Sequence, residues 1–389
     1  MTFKVLIERL STSSNPHWSI PIREYVASQN KLRLAWNPSG GPWSGGLGEP
    51  KFHVNGTAFI GACNRPQQDG PALRATALTL YAKNLLATPG ESFVVENRER
   101  IKIEIWPIIR DDLEHTVRYW NTTSFDLWGN LNGSSFFTLS ASYRALVEGA
   151  ALAKTMGRYC DGCAVTAPRI LCLLESFWTG THIKSNLNGG NGRSEIDASS
   201  ILSSIHTHDS MAGCTNSALQ PCSSRALANH KTVTDSFRPL YGINSGIPQG
   251  HAVAVGRYPE DDDHGGNPWY VTTLAAAQQL FLARLQWEAQ KYVTIDKTSL
   301  PFFRDLLPTI PVGTYEQNYT STYGSILFSV RNYANGYMAM VLKYTPSDGS
   351  LSEQFDKNNG MPVSAPNFTW SYTAFYTAAS QRDRLSGYG

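Results

Sequence analysis

The 389-residue chain is 41% hydrophobic, 11% aromatic and only 16% charged, with a formal net charge of +2. That is ample chain for a large core and too apolar a composition for disorder. The charge balance gives no electrostatic case for nucleic acid or an anionic membrane, and no apolar run approaches the roughly 20 residues of a membrane span.

Met1-Thr-Phe-Lys-Val-Leu-Ile-Glu-Arg-Leu10 is too short and too charged for a secretory leader and reads as an amphipathic helix. Residues 2–33 give one or two helices. The Gly- and Pro-rich stretch 37–50 is a loop; its glycine spacing is wrong for a phosphate loop, and no Lys-Ser/Thr follows. A helix begins at Asp69, with Pro71 in its first turn and Leu73, Ala77, Leu80 and Leu85 as the expected buried stripe. Residues 101–120 give a helix kinked or started at Pro107.

Residues 119–137 then gather Trp120, Trp128, Asp126 and several Asn and Gly in a loop between two helices. Aromatic faces beside hydrogen-bonding side chains suit a sugar, which presents C–H faces and hydroxyl edges. An ordinary capped loop fits the same residues. The next helix spans 135–156 and carries Leu139, Tyr143, Leu146, Val147 and Ala150. Helical patterns continue at 168–187, 194–206, 223–240, 269–292, 299–307, 322–343 and 364–382, and strand alternation is nearly absent. The chain reads as all-α, built of helix-on-helix layers, in a single domain over residues 1–389 with no internal repeat or linker.

Six cysteines are present. Cys160-Asp-Gly-Cys163 has the spacing of a zinc or redox pair, but no second Cys pair or His run accompanies it, so no metal and no cofactor is expected. Five Asn-x-Ser/Thr sequons (Asn55, Asn121, Asn132, Asn318, Asn367) matter only for a secreted chain. Glu353, in the polar loop before the last helix, reads from spacing alone as a solvated Glu. Arg257 and Asp261 read as a surface ion pair, and Trp269 and Trp370 serve equally as core aromatics.

Several ordered segments resemble family 15 of the glycoside hydrolases, the fungal glucoamylases. They are Gly46-Leu-Gly-Glu-Pro-Lys-Phe52, Arg65-Pro-Gln-Gln-Asp-Gly-Pro-Ala-Leu-Arg-Ala75, Ser204-Ile-His-Thr207, Ser224-Arg-Ala-Leu-Ala-Asn-His-Lys231, Val255-Gly-Arg-Tyr-Pro-Glu-Asp261, Gly266-Asn-Pro-Trp269 and Ser352-Glu-Gln-Phe-Asp356. The resemblance covers about residues 30–382. It implies an (α/α)6 toroid, lacking the family's first helix because Met1 falls after it, and no linker or starch-binding domain. It also implies exo-hydrolysis of α-1,4-glucans from the non-reducing end with inversion, an α-glucan or maltooligosaccharide as partner, and a monomer. The family is secreted, whereas the chain as written carries no leader. The implied disulfides join Cys160 with Cys163 and Cys214 with Cys222, leaving Cys63 and Cys172 free.

Inverting hydrolysis takes two carboxyl groups, an acid for the leaving oxygen and a base for the attacking water. Glu353 matches the family's base. Arg65, Trp128, Arg257, Asp261, Trp269 and Trp370 match its sugar-binding positions. The family's acid lies in Tyr-Asp-Leu-Trp-Glu-Glu-Val-Asn-Gly, which here reads Phe125-Asp126-Leu127-Trp128-Gly129-Asn130-Leu131-Asn132-Gly133. The acid position is Gly129, which has no proton to give. The family's Tyr-Thr-Gly-Ser-Trp-Gly-Arg-Pro becomes Phe59-Ile-Gly-Ala-Cys-Asn-Arg-Pro66, so a pocket Tyr is Phe59 and a pocket Trp is Cys63. Family members also carry an Asp at the position of Asp126, so it is no replacement acid; Glu148 and Glu175 fall in helical patterns. The expectation is therefore a glucoamylase-like chain with impaired hydrolysis. The alternatives are a non-catalytic glucan binder and a pocket turned to a more apolar ligand.

Overall fold

The computed structural model describes residues 2–12, 16–88, 90–189, 192–317 and 321–385; the Asn318 sequon lies outside them. Thirteen helices run through the described residues: α1 (Thr2–Thr12), α2 (Ser19–Leu32), α3 (Asp69–Leu86), α4 (Glu91–Arg100), α5 (Trp106–Tyr119), α6 (Phe136–Thr155), α7 (Cys163–Glu175), α8 (Ser199–His206), α9 (Ser224–Ser236), α10 (Tyr270–Gln290), α11 (Leu300–Leu306), α12 (Ser321–Lys343) and α13 (Thr369–Arg384). No described helix is long and apolar enough to cross a membrane.

The chain divides into two compact units. The first comprises Met1–Leu174 and Asn186–Gly189, the second Glu175–Ser185 and Gly190–Gly389. In the first unit α3 packs against α1, α5 and α6. Its fully buried face is Ala72, Ala75, Leu78, Tyr81 and Ala82, whereas Leu73, Leu80 and Leu85 of the expected stripe are only half-buried. Small side chains on that face let a helix lie close to its neighbours. Val147 on α6 is likewise exposed rather than buried. The expected kink at Pro107 is a π-turn over Ile101–Ile105 that joins α4 to α5. Proline lacks an N–H and its ring crowds the carbonyl four residues back, so the ladder widens just before it. The polar segment of α4 had no sequence signal as a helix.

Side chains cap two helices where the sequence offered serines. Ser135 accepts from the Thr138 amide at α6 and Ser223 from the Ala226 amide at α9. In the second unit α10 is buried nearly all round and packs on α8, α12 and α13. Several expected helix boundaries shift, and α9 stops at Ser236 rather than 240. α7 runs straight through Pro168 and stops at Glu175, because residues 178 and 183 pair and Asn186–Leu187 forms a strand. α8 starts at Ser199 and α13 at Thr369, since Glu195, Ser364 and Asn367 take positive φ, which no helix tolerates. Strands, nearly absent from the sequence pattern, form three small antiparallel sheets. These are β1 (Ser124–Phe125), β2 (Asn132–Ser135) and β3 (Asn186–Leu187); β4 (Tyr292–Ile295) with β5 (Gly313–Glu316); and β6 (Gln354–Phe355) with β7 (Pro362–Val363).

Both expected disulfides, Cys160–Cys163 and Cys214–Cys222, are present, and Cys63 and Cys172 are free thiols.

Candidate functional site

In the first unit the loop between β1 and β2 is a tight turn. The Gly129 amide donates to the Asp126 carbonyl at 2.8 Å and the Asp126 amide to the Leu131 carbonyl at 2.9 Å. The buried Asp126 carboxylate accepts the amides of Asn130 at 2.9 Å and Leu131 at 3.3 Å. It holds the turn together. Trp128 sits half-buried on the turn. Gly129 has φ +70, and a Cβ there would lie 3.0 Å from Nε2 of Gln67. The side-chain amide of Asn64 donates to the Gly129 carbonyl at 2.6 Å.

Arg65 is bound inward. Its Nε meets the Glu49 carboxylate at 3.0 Å, Nη1 donates to the Gly61 carbonyl at 3.1 Å and Nη2 to the Phe59 carbonyl at 3.3 Å. The Glu49 carboxylate is wholly buried and also accepts from Ser39 Oγ at 2.9 Å. Arg65 thus fixes the 59–65 loop. The Phe59 ring lies 4.4 Å from the Lys51 ammonium, and Cys63 is half-buried.

The second unit gathers the other expected residues. Glu353 immediately precedes β6. Its carboxylate accepts from Ser364 Oγ, and its amide donates to the Ala365 carbonyl at 2.9 Å. Trp269, just before α10, pairs with Gln354, and the Phe355 amide donates to the Pro268 carbonyl at 3.1 Å. Asn267 ties the same corner by accepting the Lys357 amide at 3.1 Å. Ser371 Oγ donates to the Ser352 carbonyl at 2.8 Å and so fixes the start of α13, which carries Trp370.

Arg257 and Asp261 form a buried bidentate pair, at 2.8 and 2.7 Å, rather than a surface one. Burial opposes the guanidinium charge, but the Asp261 bonds outweigh it and hold Arg257 above its ordinary pKa. The guanidinium also lies 5.1 Å from the Trp269 ring. Trp269 meets Phe368 edge-on at 6.4 Å, and Phe368 lies 6.5 Å from Trp370. Arg257, Trp269, Phe368 and Trp370 therefore form a continuous run beside Glu353. Trp269 and the Arg257–Asp261 pair are themselves buried and form the floor of this run, whereas Trp370, Phe368 and Glu353 are half-buried. A partly open aromatic face beside a carboxylate can stack a sugar ring and accept a proton.

Sequence reading did not single out Ser364 or the Glu49 clamp. Glu49 lay inside a matched segment with no sign that its carboxylate was buried. Ser364 acts on Glu353 only because it takes φ +65, which no pattern signals. Among the described residues no cluster of His, Cys, Asp and Glu could hold a metal ion. Glu148 pairs with Lys83 and Arg144, and Glu175 with Arg225.

The sequence matches the family model described as glycosyl hydrolases family 15 over residues 7–380. The chain belongs to that family. Among its curated relatives it is 49% identical over 381 residues to a glucoamylase of Neurospora crassa, covering 97% of this chain and 59% of that protein. It is 48% identical over 364 residues to glucoamylase-1 of Arthroderma benhamiae, covering 94% of this chain and 58% of that protein. It therefore spans less than two thirds of their length. A family 15 glucoamylase structure from Hypocrea jecorina aligns with TM-score 0.95 at 45% identity, over 99% of this chain and 63% of that one. A Hormoconis resinae glucoamylase aligns at 0.93 with 48% identity, over 98% and 64%. The family 15 chain shares the (α/α)6 toroid fold class of these structures.

Proposed function

We propose that this family 15 chain binds the non-reducing end of α-1,4-glucans as an inverting glucoamylase-type protein does, with hydrolysis greatly reduced because no proton donor stands at residue 129. Glu353 is the base in this reading, Trp370 stacks a terminal sugar, and the buried Arg257–Asp261 pair and Trp269 hold the site in shape from behind. The carrying observation is the contrast between two places. The run of Arg257, Trp269 and Trp370 beside Glu353 is intact, while residue 129 is a glycine with the Gln67 amide beside its Cα and the Asn64 amide on its carbonyl.

General acid catalysis contributes about 10²–10⁴-fold, and a glycosidic oxygen is a poor leaving group, so the loss lies at the upper end. Glucose release from maltoheptaose, followed with calorimetric binding of the same oligosaccharide, tests both halves. Binding with turnover at least about 10³-fold below an active family 15 enzyme supports the reading. Turnover at a normal rate, abolished by Glu353→Gln, refutes the impairment; absence of binding refutes the substrate class.

A further inference from the structure

Two tryptophans of the first unit stand in solvent, Trp36 at 75% and Trp43 at 59% exposure. Trp36 immediately precedes, and Trp43 lies within, the Gly- and Pro-rich loop 37–50. Its backbone is heavily braced. Asn37 and Gly40 exchange amide–carbonyl bonds at 3.1 and 3.0 Å, closing a tight turn directly after Trp36. Asn37 Nδ2 donates to the Gly46 carbonyl at 2.9 Å, and Ser39 Oγ donates to buried Glu49 at 2.9 Å. The amides of Ser44 and Gly46 both donate to the Gly41 carbonyl, at 3.1 and 2.9 Å, placing Trp43 at the corner of a second turn. The Trp43 carbonyl is pinned by Arg118 Nη1 at 2.7 Å.

The Trp36 ring lies over the Gly41 backbone. A Cβ on Gly41 would fall 2.9–3.0 Å from three atoms of the six-membered ring, so only glycine admits the ring that close. One face of the indole is thus seated on the chain while the residue stays three-quarters exposed. Ser39 and Ser44 spend their hydroxyls bracing the same loop, and a Cβ on Gly40, Gly45 or Gly46 would meet backbone within 3 Å, so the glycines pack the turns tightly.

We propose that Trp36 and Trp43 form a surface platform for an α-glucan chain, separate from the pocket residues Trp269 and Trp370. Large exposed aromatics on a soluble surface mark a binding function when the backbone holds them rigidly, because exposed apolar rings are otherwise unfavourable and little entropy remains to be lost on binding. A glucan presents successive apolar ring faces that stack on indole and hydroxyl edges that stay hydrated. The platform holds polymer near the chain; it performs no chemistry. It rests on the glucan reading of the family 15 site, but its residues differ from those of the pocket.

Gel electrophoresis through soluble starch, beside calorimetry with maltotriose, tests it on the intact chain. Starch retards the wild type, and Trp36→Ala or Trp43→Ala weakens that retardation about fivefold or more, as expected for one lost stacking contact, while maltotriose binding is unchanged. Both side chains are exposed, so unchanged melting curves verify folding. Trp370→Ala does the reverse, losing maltotriose and keeping starch retardation. Retardation that survives both loop substitutions, or its absence in the wild type, overturns the platform and leaves the pocket reading standing wherever maltotriose binds. Starch retardation lost in the loop variants with no maltotriose binding upholds the platform and overturns the pocket. A doubled mass in light scattering that Trp36→Ala abolishes identifies the surface as a self-association face and overturns the proposal.

Discussion

The side-chain amide of Asn64 donates to the main-chain carbonyl of Gly129 at 2.6 Å. Both residues depart from the family motifs that the sequence otherwise keeps, and the fold makes them partners. The bond fastens the 59–65 loop to the turn at a residue with φ +70. A side chain at 129 meets left-handed backbone and the Gln67 amide together.

That relationship bears on any attempt to reinstall the acid. Gly129→Glu alone is expected to cost about 1–2 kcal/mol of stability for the left-handed Cβ and to recover only part of the catalytic factor. Gly129→Glu with Asn64→Gly frees the turn to leave φ +70, so glucose release from maltoheptaose should exceed that of the single variant by about tenfold, within the range of a general acid. Equal rates for the two variants would show that Asn64 does not hold residue 129.

The Arg257–Asp261 pair predicts a stability effect inside the proposed sugar site. Both side chains are almost fully buried, and removing Asp261 leaves the Arg257 charge with only the half-exposed Asp263 carboxylate at 3.2 Å. Asp261→Ala should lower unfolding free energy by about 3–5 kcal/mol in urea titrations and abolish oligosaccharide binding. Arg257→Lys keeps the charge but loses the fork, so binding should fall in that variant as well.

Stability against pH draws on four buried groups, among them Asp112, which burial raises to about 6 as it does Asp69. Burial lowers His115 to about 3 and His230 to about 4. Burial raises Asp69 to about 6, with Asp126 adding to the rise. The histidines have depressed folded pKa values, so their contribution is present above about 6.5 and is lost as pH falls toward 4 and 3. Asp69 has a raised folded pKa, so its contribution is present below about 4 and is lost as pH rises through 6. Between pH 4 and 6 the two effects oppose. Asp69→Asn should therefore make the slope of stability against pH more positive in that window, by at most about 1.4 kcal/mol per unit, while Asp112 still opposes the histidines. Denaturant midpoints measured from pH 4 to 7 check the slope, and an unchanged slope would contradict the assignment.

The two disulfides should differ in worth. Cys214 and Cys222 are eight residues apart, Cys160 and Cys163 three. Chain entropy assigns the longer loop about 2.5 kcal/mol and the shorter one less. Cys214→Ser with Cys222→Ser should shift the urea midpoint further than the equivalent pair at 160 and 163.

Local chemistry made much of this chain legible. Helix periodicity revealed most of the helices and the all-α class, Pro71 marked the start of α3, and Pro107 marked an irregularity that proved to be the π-turn. The small sheets escaped because strands of two to four residues carry too little alternation to register. α4 escaped because its apolar residues form one run, Phe93-Val94-Val95, without helical spacing, and helices 8 and 13 were drawn too long because residues at positive φ ended the pattern. The resemblance of ordered motifs contributed the family, the disulfide pairing and the site positions, none of which follows from periodicity.

The sequence by itself determined which residue types were available: a glycine at 129, a glutamate at 353, paired cysteines and tryptophans at fixed positions. Tertiary structure alone decided what they do to one another. Trp269 meets Gln354 across 85 residues of chain, Asn64 meets Gly129 across 65, and the Arg257–Asp261 pair is buried although its four-residue spacing reads equally well as a surface pair. Burial and left-handed backbone arise from packing between segments distant in sequence, and a pattern with a period of 3.6 residues carries no information about them.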